Sequence, residues 1–474
     1  MTVRLALVSA PVSMGERYGL FSGAGSTEPS FGLLCLAAVA RQAGAVVKVI
    51  EASARGLDPE STLAEILKFS PDCVGFSATT SDIISISALA ARVKAGLPRV
   101  LTLIGGCHVT ALPEETLNAF PALDLAVLGE GEETLREILG RLEAGDRFPD
   151  GLAGTARREG TVVRRYPARS LIANLDTLPL PAWDLLEGFP VLFKPSPSRI
   201  KRWPCASIVL TRGCPNQCKF CDRSVFGNQC RAYSPEYAVS LVRDLYDRYG
   251  VRELLIEDDT FVIVKERVRE FCERLIQDKL EISWSCLGRA DRVDPDLLQL
   301  MRRAGCWQIS YGIESGDPEI LKAMCKRLDL DQIRQAILWS REAGLRTKGF
   351  FIIGFPGETL DSLERTRQFA CSLPLDDITV MQMTPFPGSE LYAMADQAGR
   401  FDRDWRKMNI VNTVFVPHGL TPKDLESARS RLLREFYFRP DVLWRQALHI
   451  GSHPRLWKAA VSGFCSLLRV VRKA

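Results

Sequence analysis

The chain contains no apolar run reaching the roughly 20 residues a bilayer-crossing helix needs, no internal repeat and no low-complexity stretch. It opens Met1-Thr2-Val3-Arg4, with no secretory signal. Net charge is small, +4 from 61 basic and 57 acidic residues, which argues against a whole-molecule binder of nucleic acid or another polyanion. What remains is a globular protein of 474 residues, 46% hydrophobic and 25% charged. That length exceeds one ordinary core, so two or three domains are expected. Cysteine, by contrast, is abundant: 14 scattered thiols. Free or metal-binding thiols suit a reducing cytoplasm, the expected location.

Three of those thiols are close together, in Cys214-Pro215-Asn216-Gln217-Cys218-Lys219-Phe220-Cys221. CxxxCxxC spacing lets three thiolates reach three irons of one cubane [4Fe–4S] cluster and leaves the fourth iron without a protein ligand. An open metal position is a place for a substrate or cofactor. Cys230 is the nearest further thiol, and its spacing fits none of the four-cysteine patterns well. The rival readings are a zinc knuckle or three unrelated buried cysteines. Structural zinc usually takes four protein ligands, and no Cys/His pair follows here at finger spacing.

Along the chain three regions and a tail are expected: 1–145, a connector at 146–204, 205–401, and 402–474. In the first, short apolar runs (Val3–Val8, Val46–Ile50, Cys73–Phe76, Val100–Ile104, Leu123–Leu128) alternate with helical patterns (Phe31–Ala43, Ser61–Phe69, Ile83–Ala95, Pro113–Phe120, Glu132–Glu143). This alternation predicts an α/β, doubly wound, Rossmann-like sheet that binds ligand at the carboxyl ends of its strands. Those ends carry small or polar residues, among them Ser77, Thr79, Gly105, Gly106, His108, Gly129 and Glu130. The connector is rich in proline, with a hairpin expected over Ala156–Arg165. The third region repeats strand and helix six times, from Ser207–Leu210 to Ile378–Gln382, which predicts a partial (β/α)6 barrel. Its cysteine loop follows the first strand, at the end where such barrels do chemistry.

The cysteine segment resembles the cluster loop of the radical S-adenosylmethionine (SAM) superfamily, CxxxCxΦC, with Phe220 at the aromatic position. The resemblance implies that the open iron chelates SAM, and that one electron from the cluster cleaves it to a 5′-deoxyadenosyl radical. It further implies site residues in order along the barrel: Glu257 and Asp258 for the SAM ammonium, Arg289 for its carboxylate, Glu314 and Ser315 for the ribose, and Ile353 with Gly354 under the adenine. The first region resembles the cobalamin-binding domain that precedes many radical SAM domains, as in class B methyltransferases and the anaerobic Mg-protoporphyrin cyclase. The loops containing Ser77, Thr79, Gly105, Gly106, His108, Gly129 and Glu130 would then face cobalamin. The loop after the first strand, Ser9 to Gly15, lacks the DxHxxG of many cobalamin proteins. His108 lies on the wrong loop to replace it and reads as a loop or helix-start residue.

The resemblance implies cobalamin-dependent methylation of an unactivated carbon in a small molecule, of lipid, porphyrin or natural-product type. The alternatives are a cyclase, oxidoreductase or dehydratase without methyl transfer, or a cofactor-binding sensor without turnover. An external electron donor of flavodoxin or ferredoxin type is expected. The tail is basic and aromatic; Val442, Leu443, Trp444, Ala447 and Leu448 read as a buried helix face, in preference to a membrane-binding one.

Overall fold

A computed structural model describes residues 2–19, 22, 25–193, 195–196 and 199–451. The first sheet is built from β1 (Arg4–Val8), β2 (Val46–Ile50), β3 (Cys73–Ser77), β4 (Leu101–Gly105), β5 (Leu125–Val127), β6 (Thr155–Glu159) and β7 (Val162–Arg165). Its order is β2-β1-β3-β4-β5-β6-β7. The first five strands run parallel in the doubly wound order, with the switch point between β1 and β3. Helices Phe31–Gln42, Pro59–Phe69, Ile83–Gly96, Pro113–Ala119 and Glu132–Glu143 cover it. The expected hairpin forms as β6 and β7, and it continues the first sheet by antiparallel pairing of β6 with β5.

The second sheet contains β8 (Cys205–Ile208), then, beyond the short strands β9 (Thr211–Arg212) and β10 (Arg231–Ala232), β11 (Glu253–Ile256), β12 (Ser283–Gly288), β13 (Cys306–Glu314), β14 (Arg346–Ile353) and β15 (Asp377–Gln382). All six main strands are parallel and stand side by side in chain order. Sequential order makes a curling barrel segment, where a doubly wound sheet would reverse. The helices between them start at legible signals: Ser234-Pro235, Asp294-Pro295 and Asp317-Pro318 each place a side-chain cap ahead of proline at the first helical position. One hydrophobic core runs through both sheets, from Leu5 and Leu33 through Trp183 to Ile208, Leu254 and Phe351. A short pair, β16 (Gly399–Phe401) with β17 (Phe415–Pro417), precedes the last helices.

The helix Pro440–Gly451 departs from expectation. Val442 is fully buried, but Leu443, Trp444, Ala447 and Leu448 are exposed. The docked face is polar: Arg445 donates to the Leu375 carbonyl (2.8 Å) and Gln446 to that of Asp376 (2.6 Å), just ahead of β15. The rest of the basic, aromatic tail lies outside the described residues. Among the described residues, no helix is long and apolar enough to cross a membrane.

Candidate active site

The cysteine loop hangs from a two-rung ladder. β9 pairs antiparallel with β10, Thr211 opposite Ala232 and Arg212 opposite Arg231, so residues 213–230 leave and return at one point. Gly213 makes the first turn at φ +83°, where a Cβ would lie 2.3 Å from the Gln229 carbonyl oxygen and 2.9 Å from that of Phe226. Only glycine fits. Two further backbone bonds pin the loop across the barrel, Lys219 N–H to the Met324 carbonyl (3.1 Å) and Leu391 N–H to the Lys219 carbonyl (2.9 Å).

This loop brings Cys214, Cys218 and Cys221 to one cavity of about 390 Å³. Asn216 donates its amide N–H to the Cys214 sulfur (3.2 Å). The neighbouring Cys221 thiol draws the Cys218 thiol down, against the burial that opposes it, with Lys326 and Arg289 adding positive charge. Through that same pairing, and through burial, Cys221 is held up. The arrangement favours thiolate at one sulfur before any metal arrives. Among the described residues, no three His, Cys, Asp or Glu side chains are grouped so as to hold a metal ion.

Other expected residues share this wall. Arg289 lines it, pairing with Asp291 (3.0 Å) and donating to the Lys326 carbonyl (2.9 Å). Glu314 ends β13 at φ +68°, beyond a shift of register against β14, and is ion-paired with Lys326 at 2.6 Å, both side chains 7% exposed. A second, apolar cavity of about 240 Å³ adjoins, sharing Phe220, Glu314 and Phe350, and closed by Ile352, Met381, Met383, Phe386 and Ile410.

Several expected residues are placed elsewhere. Neither Glu257 nor Asp258 lines these cavities. Glu257 is ion-paired with Arg199, and Asp258 is fully buried beneath the Leu210 N–H (2.6 Å), its carboxyl pushed up to about 6 by burial. The third carboxylate of that turn, Asp259, lines the cavity instead. Ser315 is fully buried, with its hydroxyl 3.0 Å from that of Thr366 and accepting the Asp317 N–H. It organises the strand-to-helix turn. Ile353 faces the helices with Phe351 in the main core, because strand alternation sends Phe350 and Ile352 inward. Gly354 lines neither cavity; it turns the chain at φ +93°.

On the first domain, Thr79 is tied to Asp82 (2.8 Å). Ser77 and Gly105 end β3 and β4, paired in register. Gly106, at φ +109°, is required by packing, since a Cβ would meet the Ala78 carbonyl oxygen at 2.6 Å. His108 starts no loop into solvent; it is the second residue of helix Cys107–Ala111, 1% exposed, with Nδ1 3.2 Å from the Thr80 hydroxyl and its ring edge-on to Trp405. Burial lowers its pKa to about 4. Gly129 takes φ +72° where a Cβ would come 3.8 Å from the Val225 carbonyl oxygen of the cluster loop. Glu130 is 8% exposed and held by arginines of the barrel, Arg212 at 2.7 Å and Arg231 at 2.8 Å. It joins the two domains, leaving no free carboxylate for a ligand.

Two wall residues carried no signal in the sequence reading. Lys326 follows a six-residue helix, in a stretch whose spacing advertises nothing. Cys107 comes from the first domain, far in sequence from the other thiols, and lines the same cavity. Burial and the nearby Asp222 raise its thiol to about 11. Only the tertiary structure brings it there.

Residues 208–370 match the Radical SAM superfamily and residues 19–139 match the B12 binding domain. An uncharacterized methyltransferase of Pyrococcus horikoshii is 34% identical over 453 residues, covering 95% of each chain. The chain belongs to the cobalamin-binding branch of the radical SAM superfamily. It is thus a radical SAM enzyme whose two domains are those for a [4Fe–4S] cluster with SAM and for cobalamin. The anaerobic magnesium-protoporphyrin IX monomethyl ester cyclase of Rubrivivax gelatinosus is 28% identical, covering 83% of this chain and 71% of that one. Among solved structures, the radical SAM methyltransferase TsrM from Kitasatospora setae with tryptophan and a SAM analogue superposes at TM-score 0.70 with 17% identity, covering 92% of this chain and 90% of that one. The cobalamin-dependent enzyme OxsB superposes at 0.75 with 15% identity, covering 98% and 72%. At those identities the likeness is one of fold.

Proposed function

We propose that this radical SAM enzyme methylates an unactivated carbon of a small molecule, using a cobalamin carried by its first domain. The observation that carries the reading is one cavity walled by Cys214, Cys218 and Cys221, by Arg289 and Glu314 of the barrel, and by Cys107 of the first domain. Bound together, a [4Fe–4S] cluster, SAM and cobalamin supply one-electron cleavage of a sulfonium, hydrogen-atom abstraction and a transferable methyl group.

The residues present fit those groups. The three cysteines would hold three irons, and the cations beside them favour thiolate. The apolar slot between Phe220, Phe350, Ile352, Met381 and Met383 suits a flat base, and Glu314, which lines both cavities, would accept from ribose hydroxyls. Asp259 would face the SAM ammonium and Arg289 its carboxylate. On the first domain, the turn at Gly129 brings backbone close to Val225 of the cavity wall, and Cys107 of that wall directly follows Gly106. His108 is neutral and packed against Trp405, which leaves it a core residue and not a ligand to cobalamin in this reading. An electron would come from a donor of flavodoxin or ferredoxin type.

Similarity to cytidylyl-2-hydroxyethylphosphonate methyltransferase of Streptomyces wedmorensis (27% identical, 86% of each chain) supports methyl transfer. Similarity to the cyclases keeps ring formation as the second reading. The test is anaerobic reconstitution with iron, sulfide, cobalamin, SAM and reductant, assayed for 5′-deoxyadenosine and product mass. A gain of one methylene unit on a lipid, porphyrin or natural-product acceptor is expected; 5′-deoxyadenosine with any other mass change favours the second reading, and none with any acceptor refutes both.

A further inference from the structure

We infer that Arg212, Arg231, Glu130 and Glu132 form a register clamp, a set of positioning residues that fixes the first domain's loop after β5 against the base of the cysteine loop. The inference rests on the proposed reading that the two loops serve one reaction. Arg212 spreads its fork over two carboxylates, one nitrogen 2.7 Å from Glu130 and the other 2.6 Å from Glu132. Across the ladder Arg231 reaches the second oxygen of Glu130 at 2.8 Å, and that oxygen also accepts the Ile172 N–H at 2.8 Å. The side chains are 4–11% exposed. Both arginines are the rungs from which residues 213–230 hang, and Cys214 follows two residues after Arg212. Both glutamates belong to Gly129-Glu130-Gly131-Glu132, at the carboxyl end of β5.

Adhesion does not need this arrangement. The halves already share one apolar core, and a buried ion cluster is a poor source of stability, because desolvation opposes its attraction. What it adds is direction: a planar guanidinium satisfied at both ends accepts one geometry. Sliding one domain over the other would strand buried charge, whereas an apolar interface would tolerate the slip. Displacement matters in this setting, since a misplacement of about 1 Å between reacting groups costs about 10²-fold.

The test uses the full chain with Glu132→Gln, which removes the charge but keeps an acceptor, and Arg212→Lys, which keeps the charge but loses the fork. Glu133→Gln is the control, since Glu133 pairs with Arg136 at the surface. Hydrogen exchange on the cofactor-free chain reads the mechanical link: residues 211–221 exchange faster in both variants, while β1 to β4 are unchanged. In the reconstituted enzyme, the 5′-deoxyadenosine released per methylated product rises by about tenfold or more, because hydrogen abstraction and methyl delivery lose register. A general loss of stability would lower both yields and leave that ratio alone. An unchanged ratio overturns the inference, whatever the exchange shows. If the wild type makes no 5′-deoxyadenosine, the proposed function fails on its own, and exchange alone decides: faster exchange at 211–221 upholds the coupling and unchanged exchange overturns it.

Discussion

Replacing Gly312 by alanine isolates the Glu314–Lys326 pair from folding. Gly312 lies inside β13 and is not in the left-handed region, so its backbone accepts alanine. Losing a strand glycine favours the folded state by about 0.5–1 kcal/mol. The new Cβ, however, would lie 2.5 Å from Glu314 Oε1 and 2.7 Å from Lys326 Nζ. Both atoms are side-chain ends, so the pair must move while the strand stays. If the displaced carboxylate can no longer accept from a ribose hydroxyl, the enzyme loses one hydrogen bond to a charged group, about 1.5–3 kcal/mol. The dissociation constant for SAM should then rise about 10- to 150-fold. Anaerobic equilibrium dialysis on the cluster-loaded protein measures this, with iron content as the control. A G312A protein that keeps its iron and binds SAM as tightly as the wild type would refute the reasoning about Glu314.

Other outcomes follow from the same geometry. C107A should load as much iron as the wild type, because that thiol, raised to about 11, stays protonated at neutral pH, whereas C214A, C218A or C221A should each lose the cluster; iron loss in C107A would make it a fourth ligand. Ile353→Ala should cost about 2–5 kcal/mol of stability as a core truncation with SAM affinity retained, and Ile352→Ala should weaken SAM binding; chemical denaturation and dialysis separate the two. His108 binds its proton more weakly folded (about 4) than unfolded (6.5), so its contribution is complete above about 6.5 and lost as the pH falls toward 4. That span corresponds to about 3 kcal/mol, and the melting temperature of cofactor-free H108F should fall less than that of the wild type between pH 7 and 4.5.

Much of this architecture can be read directly from the residues. Apolar runs gave both parallel sheets, and the cysteine spacing identified the loop that faces the cavity. Strand ends were blurred where tertiary pairing decides them: β13 runs the full length from Cys306 to Glu314 because β12 pairs with its start and β14 with its end. Side-chain direction was harder still. Asp258 and Asp259 are adjacent and chemically alike, and only the Leu210 N–H above Asp258 decides which turns inward. Ile352 and Ile353 differ only by strand parity. Glu130 sits in a glycine-rich loop that suggests a ligand, and its partners, Arg212 and Arg231, are more than eighty residues away in the chain. Leu443, Trp444 and Leu448 follow a helical period, yet Arg445 and Gln446 take the docked face, since free carbonyls await them there.

The hairpin β6–β7 bears on traffic through the enzyme. By zipping onto β5 it makes residues 155–165 of the chain between the domains a structural part of the first one. The two halves share one apolar core, which would have to part before they could swing open like a clamshell. Under the proposed function, acceptor and spent nucleoside would come and go where the apolar cavity reaches the exposed Ile410 beside Phe386, and turnover would then answer to movements of those few residues.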